Sequence, residues 1–225
     1  ALSDGTYTLY DSNRNIYTVY YGNQDSSAIL NLLNTGDSVD AVDTQLETIS
    51  NFYKDDDNNW TAAEWSFDKN QAVLDAHWGT GVVYDFFKNK YGRNSYNNND
   101  GAIRIMYNSS FNNNPNDVDN ATWFSLDDFN INVGLMNVGV GSYPQNPNGF
   151  SQVAPLDVMA HEFGHGVVTG LVYARESGAL NEGIADVWGA VVEYNATPEK
   201  IWNVIGEEIV HNGNGGVRFL NNPKL

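Results

Sequence analysis

His161 and His165 stand four residues apart in "HEFGH", with Glu162 directly after the first histidine. Two imidazoles at that spacing meet at one point only if the chain between them is helical, because residues i and i+4 share a helix face. The surrounding "PLDVMAHEFGHGVV" supports a helix, with Pro155 near its start and Asp157 in its first turn, where a carboxylate suits the helix dipole. The five-residue pattern by itself leaves two readings open. It fits a metal-binding helix, and it fits an amphipathic helix carrying two half-buried histidines.

A third ligand separates them. A zinc ion that does chemistry takes three protein ligands and keeps one position open. In one known arrangement a glycine and a histidine follow the second histidine by three and six residues; here those positions hold Val168 and Leu171. In the other, a glutamate comes from a following helix, and "SGALNEGIADVWGAVVEYN" reads as a helix over 177–195, with Ser177 a candidate N-cap and Glu182 on its path. Asp186, four residues on, shares that face and is placed to accept a hydrogen bond from a ligating histidine. Gly183, Ala185 and Gly189 keep the surface small enough for the two helices to approach. Glu162 flanks the meeting point without needing to ligate, as a general base for water would. The two motifs together are far more specific than either half.

The bulk properties narrow the partners. A net charge of −17 excludes a general binder of nucleic acid or of anionic membranes, both of which need clustered Lys and Arg. With no cysteine, disulfides and thiolate zinc sites are excluded. No apolar run approaches the length of a membrane span, and the start lacks the features of a signal peptide, so an exported chain is expected to have lost its signal already.

The first 65 residues read as strands and turns, from "GTYTLYD" and "NIYTVYYG", with "FYKDDDNNW" a polar loop. A helix is predicted within 68–90, with Gly79 and Gly81 as the points where it can bend, and strands at 102–108 and 121–126, separated by an Asn/Asp-rich loop. The fold class is therefore α+β. Residues 1–153 are expected to form a β-rich N-terminal domain, and 154–225 to hold the zinc helix and the start of an α-helical C-terminal domain, itself expected to be incomplete. His77, inside an apolar helical run, reads as a packed core histidine.

At this point the chain resembles the thermolysin (neutral-protease) family of zinc endopeptidases. "AHWGTGVVYDFFKNKYG", "NATW", "HEFGH", "GLVY", "ESGALNEGIADVWG" and "IGEEI" follow one another in family order. The resemblance implies a β-rich half and a helical half with the zinc helix between them. It makes His161, His165 and Glu182 the ligands of one zinc, Glu162 the base that activates its water, and Asp186 the group that orients His161. Tyr173 would stabilise the oxyanion, Asn120 and the backbone of Ala121 would hold the peptide as an added strand, and Arg218 would contact a substrate carbonyl. Asp157, Glu193 and Glu207 match a calcium site. Trp202 and Val204 stand where further carboxylates would be needed, so one structural calcium is expected and a doubled site is not. "DDDNN" (55–59) has the look of a calcium loop and equally of an ordinary acidic turn.

The implied activity is cleavage of peptide bonds in proteins, before bulky hydrophobic residues, by a secreted, extracellular enzyme matured from a zymogen. Its partners would be protein or peptide substrates, with its own propeptide or a C-terminal fragment as further possibilities. The chain departs from the family in two other ways. The connection between His165 and "GLVY" is about three residues short, which puts the end of the zinc helix at Gly170 or implies a missing stretch. No histidine follows Arg218, and His211, which precedes it, is not expected to replace one. Two rivals stay open: an exopeptidase on a related scaffold, and an inactive fragment that binds metal or peptide.

Overall fold

The computed structural model describes residues 2–22, 38–61, 63, 72–110, 114, 116–168 and 170–222. The part of the expected 68–90 helix before Ala72, portions of the first 65 residues and of the Asn/Asp loop, Thr169 and the final "PKL" lie outside them.

Strands β1 (Tyr7–Thr8), β2 (Tyr10–Asp11) and β3 (Ile16–Tyr20) lead to helix α1 (Val39–Ile49), followed by β4 (Asn51–Phe52) and β5 (Lys54–Asp55). The long helix α2 (Ala72–Tyr91) precedes β6 (Ala102–Tyr107), β7 (Ala121–Ser125) and β8 (Val133–Val138). Helices α3 (Leu156–Val167) and α4 (Arg175–Ala196) follow, then the short strands β9 (Val204–Ile205) and β10 (Arg218–Phe219). The main sheet runs β2-β3-β6-β8-β7, with β4 paired to β3. Strands β3, β6 and β8 are parallel, and β7 returns antiparallel against β8, pairing Ala121 with Val138.

The parallel strands are covered on both faces, as parallel sheets usually are. Ile103, Ile105 and Tyr107 join α2 and α3 in one apolar cluster, while Ala102 and Met106 join α1 in the other. That is the two-residue period of a strand. Arg104, 2% exposed, falls on the α1 face, and its Nη2 donates to Asp43 Oδ2 at 2.8 Å. This pair ties α1 to the sheet.

Several expectations need correcting. The first 65 residues are not only strands and turns: α1 lies among them, capped by Ser38, whose Oγ accepts from Ala41 N–H, and it buries Val42 and Leu46 four residues apart. "FYKDDDNNW" contributes β4 and β5 rather than a plain loop, and β8 is an additional strand. Helix α3 ends at Val167, before Gly170. Helix α4 starts at Arg175, so Ser177 lies inside it rather than capping it. Gly79 and Gly81 do not break α2. A Cβ at Gly79 would stand 3.3 Å from Met159 Cγ, so the glycine lets α2 and α3 pack closely.

Candidate metal centre and cleft

Helices α3 and α4 meet through small residues. A Cβ at Gly164 would lie 3.2 Å from Ala185 Cα, and one at Gly189 would lie 2.8 Å from the backbone oxygen of Asp157. Gly183, expected to help, faces open space. The close approach brings one ligand atom each from His161, His165 and Glu182 to within 4.8 Å of one another. The Nε2 atoms of His161 and His165 are 3.0 Å apart, and Glu182 reaches them at 3.4 Å and 3.7 Å.

The remaining ring nitrogens are engaged. His161 Nδ1 donates to Asp186 Oδ1 at 2.8 Å, and His165 Nδ1 donates to Asn181 Oδ1. With both Nδ1 atoms donating, each ring in its neutral form turns an Nε2 lone pair toward the same point. Only a cation or a proton satisfies that arrangement, and the N, N, O donor set is one that suits zinc. Burial opposes a charged His161, but the bonds to Asp186 and Glu182 outweigh it and raise its pKa to about 9. Glu182 is held down to about 2, first by its bond to His161. Both shifts mark a site whose carboxylates favour positive charge between them.

Glu162 is 5% exposed, and its Oε2 is buried without a partner. Burial raises its pKa. Tyr173, on the exposed approach to α4, donates its hydroxyl to Glu182 Oε1, and the bond to that carboxylate, then burial, raises its pKa to about 12. Arg218, on β10, grips Asp186: Nε donates to Oδ2 at 2.8 Å and Nη2 to Oδ1 at 2.7 Å. In this geometry it braces the orienting carboxylate.

These groups line a cleft of about 770 Å³ whose opposite wall is β7, entered through Asn120 and Ala121. Strand β7 is the edge of its sheet, pairing only with β8 among the described residues. Asp119 organises the cleft's rim. Its Oδ1 accepts from Ser142 N–H at 2.6 Å and Phe150 N–H at 3.1 Å, and its Oδ2 accepts from Ser142 Oγ. Gly149 leaves the room for this, since a Cβ there would fall 1.9 Å from Ser142 Oγ.

Asp157, Glu193 and Glu207 form a second group with ligand atoms within 4.8 Å of one another. Glu193 Oε2 and Glu207 Oε2 are buried without partners, as oxygens awaiting a cation would be. The "DDDNN" turn is different: Asp55 Oδ2 accepts from the N–H groups of Asp57 and Asn59, as in an ordinary acidic turn. His77 bonds to Thr18 Oγ1 at 2.8 Å. His211 bonds to Ser151 and stacks on Tyr143 at 3.8 Å, and it does not line the cleft. Two residues were missed from sequence. Asn181 sits beside Glu182 in the motif itself, and Asp119 sits beside Asn120; each is the polar neighbour of a singled-out residue.

The chain is similar to known proteins along its length. Residues 1–169 match the model of the thermolysin metallopeptidase catalytic domain, and residues 169–225 match that of the thermolysin metallopeptidase alpha-helical domain. The chain is 35% identical to the thermostable neutral protease NprT of Geobacillus stearothermophilus, over 96% of this chain and 35% of that protein. It is 34% identical to a thermolysin of Alicyclobacillus acidocaldarius subsp. acidocaldarius and to a bacillolysin of Bacillus caldolyticus, with the same coverage. It thus spans about a third of the length of these curated relatives. Among solved structures, the precursor of protealysin, a metalloproteinase from Serratia proteamaculans, shares the fold, with a TM-score of 0.58 at 22% identity over 88% of this chain and 64% of that one. With family models matching along its whole length, the chain belongs to the thermolysin metallopeptidase family.

Proposed function

We propose that this chain carries the catalytic centre of a zinc-dependent endopeptidase that hydrolyses peptide bonds in proteins. One observation carries the reading: two bare histidine Nε2 atoms face each other and a glutamate at the floor of a cleft, with an unpartnered buried carboxylate alongside. His161, His165 and Glu182 would hold one zinc, which when bound polarises a carbonyl and lowers the pKa of a water. Glu162 takes the proton of the attacking water as its oxygen bonds to the scissile carbon. When the C–N bond breaks, Glu162 gives that proton to the leaving amine nitrogen. Its raised pKa suits both transfers.

Tyr173 supplies a hydroxyl to the oxyanion after turning away from Glu182. Asn120 and the backbone of Ala121 seat the peptide along β7, a mode that gives affinity with little dependence on sequence. Asp186 holds His161. Arg218 reaches the cleft while bracing Asp186, which leaves a guanidinium N–H for a substrate carbonyl. Val158, Ile205 and Val217 line the same cleft and support a preference for a bulky hydrophobic side chain after the scissile bond.

The reading extends to one structural calcium on Asp157, Glu193 and Glu207, supported by their orphaned oxygens. It extends also to a division between a β-rich part and a helical part at 153/154, to secretion, and to maturation from a precursor. No described helix is long and apolar enough to cross a membrane.

Digestion of a peptide library with and without a zinc chelator tests the core of the proposal. Internal cleavage that stops on chelation and returns with zinc is the expected result. Removal of terminal residues only would make it an exopeptidase, and no cleavage at any zinc level would leave a binding fragment.

A further inference from the structure

The second carboxylate group contains a cation of the chain's own. Helix α4 ends in a turn in which Thr197 N–H donates to Glu193 O at 2.7 Å and Lys200 N–H donates to Thr197 O at 3.0 Å. The turn folds Lys200 back over Glu193, where its Nζ donates to Glu193 Oε1 at 2.8 Å and to Glu208 Oε1 at 2.5 Å.

Glu193 is 1% exposed, and its two oxygens are used differently. Oε1 is taken by the ammonium, while Oε2 has no partner, and neither has Glu207 Oε2. Asp157, also 1% exposed, already accepts from Val158 N–H at 2.7 Å and Gly206 N–H at 2.5 Å, so the backbone fixes it in place.

We propose that Lys200 is a resident counter-cation filling one of two cation positions in this cluster, between Glu193 and Glu208, and leaving a single divalent-cation position at Glu193 Oε2, Glu207 and Asp157. The inference rests on the calcium part of the proposed function. Charge supports it. Asp157, Glu193, Glu207 and Glu208 bring four negative charges against the one ammonium, so one divalent cation nearly neutralises the group. A second would have to displace Nζ from Glu193 Oε1. A fixed ammonium does part of a metal's work without being lost to a chelator, so the α4 C-terminus stays tied to the segment after β9 when calcium is absent.

Metal analysis after equilibration with calcium, with zinc counted in the same samples, tests this. The parent and Lys200→Arg should each hold one calcium per chain, and Lys200→Met, which frees Glu193 Oε1 and Glu208 Oε1 to take the place of the carboxylates that Trp202 and Val204 do not supply, should hold two. Lys200→Met should also melt below the parent in a chelator and recover at saturating calcium. One calcium in Lys200→Met overturns the role of Lys200. So does a Lys200→Met chain that stays unfolded at saturating calcium while the parent folds, and so do two calcium ions in the parent. A parent that binds zinc but no calcium overturns the calcium reading beneath it and leaves the zinc centre standing.

Discussion

His161 and His165 turn their Nε2 atoms toward each other across 3.0 Å, and each ring is held from behind, by Asp186 and Asn181 respectively. The supports fix the tautomer, and the tautomer leaves both Nε2 lone pairs free. Supporting bonds of this kind are worth about 10–100-fold in metal affinity. Asn181→Ala and Asp186→Asn should each weaken zinc binding by roughly that factor in a competition assay with a chromophoric chelator. Asp186→Asn should have the larger effect, because it also weakens the hold on Arg218. Unchanged affinity in both would mean that the rings are oriented by packing alone.

Glu162 differs from the proposed zinc ligands in having a buried oxygen with no partner. The isosteric Glu162→Gln keeps the shape but cannot take a proton. It should retain zinc and lose about 10²–10⁴ in kcat, the usual contribution of a positioned base. Casein cleavage at the parent's rate would move the base role to another group.

Much of this centre was legible in the sequence because helix geometry converts spacing into position. His161 and His165 at i and i+4, and Glu182 and Asp186 likewise, needed only the two helices to be correct. The connection between them did not follow from any period: α3 stops at Val167 and α4 starts before Ser177, where a cap was expected. Helix α1 was missed because its apolar positions are few and its solvent face is wide, while neighbouring aromatic runs suggested strands. Strand β8, "VGLMNV", is buried along its whole length and so lacks the alternation that marks a half-exposed strand. Asn181 and Asp119 act through partners distant in sequence, which spacing cannot reveal.

Buried groups away from the cleft give the chain a pH signature. Burial, the largest influence, depresses His77 to about 4; Arg14 acts in the same direction and Asp11 against it. Thr18 Oγ1 bonds to the ring. In the unfolded chain this histidine titrates near an ordinary value of about 6.5. Between those two values the unfolded state binds the extra proton, so stability is full above the upper value and falls as pH drops through the window. The slope from this one group is at most about 1.4 kcal/mol per pH unit. Denaturant melts of the parent and of His77→Gln at a series of pH values isolate it, because the buried acids titrate in both chains. The variant should show the shallower decline toward acid; equal slopes would mean that His77 is solvated in the native state.

Asp119 supplies the last prediction, and it concerns binding rather than chemistry. Its carboxylate gathers Ser142 and Phe150 beside Asn120, so it holds the rim of the cleft where a peptide would join the edge of β7. It touches none of the three proposed zinc ligands. Asp119→Ala would leave the half-buried Ser142 and Phe150 N–H groups without their acceptor, at a cost below the about 1–3 kcal/mol of a fully buried donor. The rim should loosen and the peptide should lose its ordered edge. Steady-state kinetics on a peptide spanning the cleft should then show KM rising several-fold or more with kcat close to the parent's, because an interaction made equally in the ground and transition states changes KM alone. Zinc content should stay at the parent's level. A fall in kcat with KM unchanged would place the effect of Asp119 on the reacting groups instead of on the strand that seats the substrate.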